Sequence, residues 1–231
     1  MLFDPLYLLL MGPIMLFALW ASWKTRSAYK EFSKVGARSG VNGAEIARRL
    51  LDADRLQDVK VAAVPGQLTD HYDPRDRTLR LSEGVYASRS IAALGIAAHE
   101  TGHALQHADA YKPLTFRQAF FPVAAFSSNA WVWFMIGSAF LGRNAPQLGA
   151  TLMAVAIALA ALYAVFAIVT LPVEFDASRR ALLMLESTRT LDAQELIGAK
   201  KVLDAAALTY VASAASAVMT VIYLLLRSRN R

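Results

Sequence analysis

The sequence contains no cysteine. That excludes disulfides, thiolate metal ligands and a cysteine nucleophile together, and it leaves the redox compartment unmarked. There is no Gly-rich phosphate loop and no G-x-S-x-G elbow, the usual signs of phosphate-cradling and serine-nucleophile sites. Charge is missing over long distances. Pro5 to Trp23, Gln118 to Gly142, residues 144–173 and Ala205 to Leu226 each run without an Asp, Glu, Lys or Arg. Hydrophobic residues make up 56% of the chain and the mean hydropathy is +0.36, too high for a typical soluble globule. A length of 231 residues suits one domain, or a small domain attached to a membrane bundle.

Against this background stands Ala98-His99-Glu100-Thr101-Gly102-His103-Ala104. It reads H-E-x-x-H, two histidines four residues apart with a glutamate directly after the first. On a helix that spacing puts both imidazoles on one face about one turn apart, within reach of a single ion. Glu100 then sits beside the pair, placed to take a proton from water held there. Three fixed residues are few, so context decides. Ser90 followed by Ile91-Ala92-Ala93-Leu94-Gly95-Ile96-Ala97 supplies a capping serine and an apolar helical approach.

Taken in order, residues 1–23 read as a transmembrane anchor. A cleaved signal peptide is disfavoured because Asp4, not Lys or Arg, precedes the apolar run and no small-residue cleavage site follows it. Residues 24–117 read as an α+β region carrying the metal helix. It opens with a basic connection (24–42) broken by Gly36, Gly40 and Gly43. Asn42-Gly43-Ala44-Glu45 resembles a capping box that starts a helix. Val59–Val64 and Thr78–Leu81 read as strands around a turn-rich Asp70–Asp76, and the metal helix runs from about Ser90 to Ala108. Residues 118–173 read as a transmembrane hairpin turning at Arg143, and 174–204 as a charged cytoplasmic segment. Residues 205–231 read as a fourth span, or a buried or interfacial helix, with a basic tail. The expected fold is thus mostly α and integral to the membrane, with three to four transmembrane helices and a small α+β domain on the cytoplasmic face.

The bases set the sidedness. Of 24 Lys and Arg residues, twenty fall in 24–117 and 174–201, two segments that a hairpin keeps on one side, and the positive-inside rule makes that side cytoplasmic. The net charge of +6 is therefore read as membrane topology, and nucleic acid is not an expected partner. A fourth span would put the basic tail outside, against the same rule.

A catalytic zinc takes three protein ligands and keeps a position for water. His99 and His103 supply two. Glu174, just after the hairpin returns to the side of the metal helix, is the candidate third. Asp176 and Glu186 also follow the hairpin. Asp176 lies roughly 200° round a helix from Glu174, and Glu186 about three turns further on. Pro172 is expected to start a helix here, with Glu174 in its first turn. His107 continues the i, i+4 series, but the outer two of three such histidines stand roughly 12 Å apart along the axis, so it is not a ligand.

These residues carry a family resemblance. The H-E-x-x-H motif, the Asp70-His71-Tyr72-Asp73-Pro74-Arg75 stretch before it and Leu171-Pro172-Val173-Glu174-Phe175-Asp176-Ala177-Ser178 after it resemble the bacterial YugP-type membrane zinc metallopeptidases over nearly the whole chain. More distantly the chain is similar to HtpX-type and CAAX prenyl proteases. The resemblance implies one Zn2+ per chain on His99, His103 and Glu174, with Glu100 as general base. One departure stands out: the distant relatives carry, four residues after the ligand glutamate, an aspartate that orients a ligand histidine. Here that position is Ser178, and Asp176 is the candidate for the task.

The expected function is that of a membrane-bound zinc endopeptidase of the gluzincin pattern, acting on protein or peptide substrates at the bilayer of the cell membrane. His71, Tyr72 and Arg179 are the candidate donors to the developing oxyanion, and an exposed strand edge could add substrate backbone. A motif buried within a span is excluded, because Arg89 and only about eight apolar residues precede His99. The alternative is a non-catalytic zinc-binding membrane scaffold or regulator, which has no need of Glu100.

In this cysteine-free chain the topology is directly testable. Arg55→Cys or Thr188→Cys should resist an impermeant thiol reagent in intact cells, and Asn144→Cys should label. Labelling of the first two without the third would invert the assignment.

Overall fold

The computed structural model describes residues 4–229. Its elements are α1 (Pro5–Phe32), α2 (Gly43–Ala53), β1 (Lys60–Val64), β2 (His71–Asp73), β3 (Thr78–Ser82), the single turn α3 (Glu83–Tyr86), α4 (Ile91–Ala108), α5 (Lys112–Leu141), α6 (Pro146–Ser187) and α7 (Ala193–Arg229). The chain is mostly helical with one small sheet. Four helices, α1, α5, α6 and α7, are long and apolar enough to cross a membrane. Contacts divide the chain into two compact units. One comprises Met1–Trp20, Phe116–Leu171 and Thr209–Arg231; the other comprises Ala21–Thr115 and Pro172–Leu208.

The first unit is built from the uncharged runs. A helix pairs its backbone polar groups internally, which suits a chain with so little polar side chain to offer. The inside is lined by small or flexible residues. Ala164 and Ala167 of α6 cluster with Ala214 and Ala217 of α7, small side chains that let two helices approach closely. Met135, Met153, Ala156, Ala160, Tyr223 and Leu224 form a second cluster. Large apolar side chains face outward instead, with Trp133 72% and Phe140 75% exposed. That inversion of the soluble pattern fits a lipid surround. At the turn between α5 and α6 the Ser138 hydroxyl donates to Gly149 O at 2.7 Å. A Cβ on Gly149 would lie 2.5 Å from Gly142 Cα, so neither glycine has room for a side chain.

Asp4 joins the two ends of this unit. One carboxylate oxygen accepts from Leu6 N at 3.0 Å, capping α1. The other accepts from the Tyr223 hydroxyl at 2.8 Å and from Arg227 Nη1 at 2.7 Å. The start of α1 and the end of α7 therefore lie at the same end of the bundle. The run 205–226 is part of a 37-residue helix of the same apolar class as the others. Arg231 of the basic tail lies outside the described residues.

The second unit holds the sheet, in the order β1-β3-β2. β1 runs parallel to β3 (Val61 opposite Leu79) and β2 antiparallel to it (Tyr72 opposite Leu79). Leu79 and Leu81 of the central strand are fully buried against a core that includes Ile46, Leu50 and Leu51 of α2, Leu94 and Ala97 of α4, and Ala181 and Leu185 of α6. The expected capping box is present. The Asn42 side chain accepts from Glu45 N at 2.9 Å, and the Glu45 carboxylate accepts from Asn42 N at 3.0 Å.

Three expectations are corrected here. The basic stretch after Trp23 does not begin a loop, because α1 continues to Phe32. The Thr25 hydroxyl bonds Ala205 O at 2.8 Å, and Phe32 packs on the core, so tertiary contacts carry the helix past its apolar run. The stretch read only as a turn contains β2, whose three residues are too few and too polar to signal a strand. Pro172 does not start a helix, since α6 runs through it unbroken to Ser187. Proline removes one backbone hydrogen bond, but Val173, Ala177, Ala181 and Leu185, one turn apart, are each 0% exposed. Burial of that stripe outweighs a single missing bond.

Candidate metal centre

α4 starts where the sequence indicates, with the Ser90 side chain accepting from Ala93 N at 3.2 Å. Alanine and glycine recur along the turns that follow, and small side chains let neighbouring helices close in. At Gly102 a Cβ would meet the carbonyl oxygen of Ala177 at 2.7 Å, so α6 touches α4 where the histidine face begins. Glu174 lies three residues before that contact, on the same side of α6.

The consequence is a compact trio. His99 Nε2 stands 3.4 Å and His103 Nε2 3.6 Å from Glu174 Oε2. All three donor atoms lie within 4.8 Å of one another, a set able to hold a metal ion. Bonds of zinc length in a tetrahedron put ligand atoms roughly 3.4 Å apart. The two histidine–carboxylate distances match that edge, so the residues present fit zinc. The Glu174 side chain is only 3% exposed and the two imidazoles 14% and 13%.

Each histidine is held by its other ring nitrogen. His99 Nδ1 lies 3.1 Å from the Ser178 hydroxyl, and His103 Nδ1 lies 3.0 Å from Gln106 Oε1. Both Nε2 atoms are thereby turned toward Glu174. Outer partners of this kind fix ring orientation in metal sites. Burial alone would lower the pKa of His103, but its contact with Glu174, together with the nearby Glu100 charge and Gln106, outweighs it and leaves the value raised. Glu100 is itself buried.

The remaining sequence candidates fall elsewhere. Asp176 is buried and touches neither histidine; it accepts from Gln106 Nε2 at 3.0 Å and from Arg180 Nε at 2.7 Å, and it pairs with Arg179. Glu186 is not part of the trio. His107 is half-buried with Nδ1 2.9 Å from the Tyr72 hydroxyl, which engages one candidate oxyanion donor. Another, His71, is exposed and bonds Thr69 O at 2.8 Å. The third, Arg179, is spent on Asp176. Gly102 and Gln106 have roles here that the sequence reading missed. A glutamine three residues after a ligand histidine, on the same helical face, was the available signal.

The chain matches, over residues 7–229, a family described as "Putative neutral zinc metallopeptidase". It belongs to that family. It is 47% identical over 196 residues, 84% of either chain, to a protein of Bacillus subtilis (strain 168) named "Putative membrane protease YugP". No solved structure matches it.

The contact at Gly102 has a measurable consequence. Gly102→Ala should push α6 from α4, costing on the order of 1–3 kcal/mol as overpacking and weakening metal retention. Thermal unfolding and zinc content after dialysis against a weak chelator check it. Unchanged values for both would show that the contact is slack.

Proposed function

We propose that this protein is a membrane-bound endopeptidase that hydrolyses peptide bonds with one zinc per chain, held by His99, His103 and Glu174. The carrying observation is the trio itself, two imidazole nitrogens 3.4 and 3.6 Å from one carboxylate oxygen, contributed by helices far apart in sequence. Zinc bound there would supply Lewis acidity toward a peptide carbonyl and acidify a water molecule. Glu100 is the general base. It follows His99 directly on the buried metal helix, takes a proton as water attacks the carbonyl, and returns it to the leaving amine. Substrate is a protein or peptide chain.

The catalytic unit faces the cytoplasm of the cell membrane in this reading. Nineteen of the 24 Lys and Arg residues fall in the unit that carries the trio, as the positive-inside rule requires of a cytoplasmic segment. With four spans, the start of α1 and the end of α7 lie on the opposite side. Arg227 is less anomalous there than a free base would be, because Asp4 neutralises it.

Ligand and base separate experimentally. Glu100→Gln should keep about one zinc per chain and lose about 10²–10⁴-fold in cleavage of a denatured model protein by the detergent-purified enzyme. His99→Ala and His103→Ala should lose the metal as well, and chelator should silence the wild type. Glu174→Gln should weaken zinc retention, with Asp176→Asn affecting it mildly at most. Substantial peptidase activity in Glu100→Gln would remove Glu100 as the base. Zinc lost from Asp176→Asn but kept by Glu174→Gln would move the third ligand.

A further inference from the structure

Gln106 is fully buried and every polar atom of its amide is engaged. Its nitrogen donates to Val173 O at 2.8 Å and to Asp176 Oδ2 at 3.0 Å. Both are pure acceptors, one a backbone carbonyl and the other a carboxylate, so the nitrogen must face them. The amide oxygen is then left pointing at His103 Nδ1, 3.0 Å away. An oxygen there can only accept, so Nδ1 must carry a proton. The neutral ring is thereby confined to the tautomer whose Nε2 lone pair faces Glu174.

Asp176 is in turn fixed. Arg180 donates to it at 2.7 Å and also pairs with Asp109, at 2.5 Å, the C-cap residue of α4. A closed circuit results, from His103 on α4 through Gln106 to Asp176 and Arg180 on α6, and back to α4 at Asp109. His99 has no equivalent. Its partner, the Ser178 hydroxyl, can donate or accept and does not choose a tautomer.

We propose that Gln106 is a positioning residue for the metal centre, with Asp176 as the lock that keeps its amide from flipping. A flipped amide would present N–H to Nδ1 and favour the tautomer with its proton on Nε2, where the metal should bind. The circuit thus sets how far His103 is prepared for the ion before the ion arrives. This rests on the zinc reading above, and it assigns Asp176 a role through Gln106 instead of direct contact with either histidine.

Cobalt(II) binding to the full chain in detergent tests it, read as affinity by chelator competition and as the visible d–d spectrum. Gln106→Leu should bind cobalt about 10- to 100-fold more weakly, with an altered spectrum. Asp176→Leu should do the same, whereas Asp176→Asn, whose amide oxygen can still accept from Gln106, should stay within about threefold. The double variant Gln106→Leu with Asp176→Leu leaves fewer buried groups unpaired and should regain thermal stability without regaining affinity. Affinity that returns together with stability would make the pair structural and overturn the proposal. So would a folded Gln106→Leu that binds cobalt as the wild type does. A wild type that takes up no cobalt would instead refute the metal-centre reading, and this proposal with it.

Discussion

The centre depends on one contact, the approach of α6 to α4 at Gly102 and Ala177. A helix carrying H-E-x-x-H presents two imidazoles by its own periodicity, but two ligands do not make a catalytic site. The candidate third, Glu174, comes from a helix more than seventy residues later in the chain. A carboxylate side chain is short, so the two backbones must come nearly into contact. Gly102 permits that, since even a methyl group would reach the Ala177 carbonyl. The stripe Val173, Ala177, Ala181 and Leu185, all without exposed surface, then seals α6 along the second unit. Position 102 is one of the two free positions of the motif, and here it carries the packing.

Burying a carboxylate between two imidazoles costs solvation, which partners must return. The polar groups around the trio are arranged in layers. Glu174 and the histidines face one another; Ser178 and Gln106 take the outer ring nitrogens; Asp176 and Arg180 take what Gln106 leaves. Arg180 is also near the ring of Tyr111 and pairs with Asp109, so the last member of the chain reaches toward water at the end of α4. A buried polar network is favourable only if each member is satisfied, and this one is followed outward until solvent can finish it.

The first unit carries far fewer polar groups. Asp4, Tyr223 and Arg227 bond one another, and the Ser138 hydroxyl donates to the buried Gly149 carbonyl beside the glycine turn. The outward surface is left to Leu, Phe and Trp, which need no partner in lipid. The contrast between the units explains why the base count is informative. Arginine and lysine are found where water or a carboxylate can receive them, so they are concentrated in the second unit.

Much of this was legible in sequence because it is local. The Asn42 capping box, the Ser90 cap, the span-length uncharged runs and the imidazole pair each follow from residues within a turn or two. That Glu174 lies beside the histidines was anticipated from the order of the uncharged runs, since an even number of spans would return the chain to its starting side. What escaped was whatever depends on a partner distant in sequence. α1 outran its apolar stretch because Ala205 O receives the Thr25 hydroxyl, and Pro172 failed to interrupt α6 because a buried stripe crosses it. Ser178 is the sharpest case. Set beside the distant relatives it looks like the loss of an orienting aspartate, with Asp176 as substitute. Yet four residues after Glu174 is the same helical face one turn on, and the hydroxyl sits 3.1 Å from His99 Nδ1. Asp176, about 200° away from Glu174 by helical geometry, reaches the other histidine through an intermediary on the metal helix. The structure thus puts Ser178 against one histidine and Gln106, backed by Asp176, against the other.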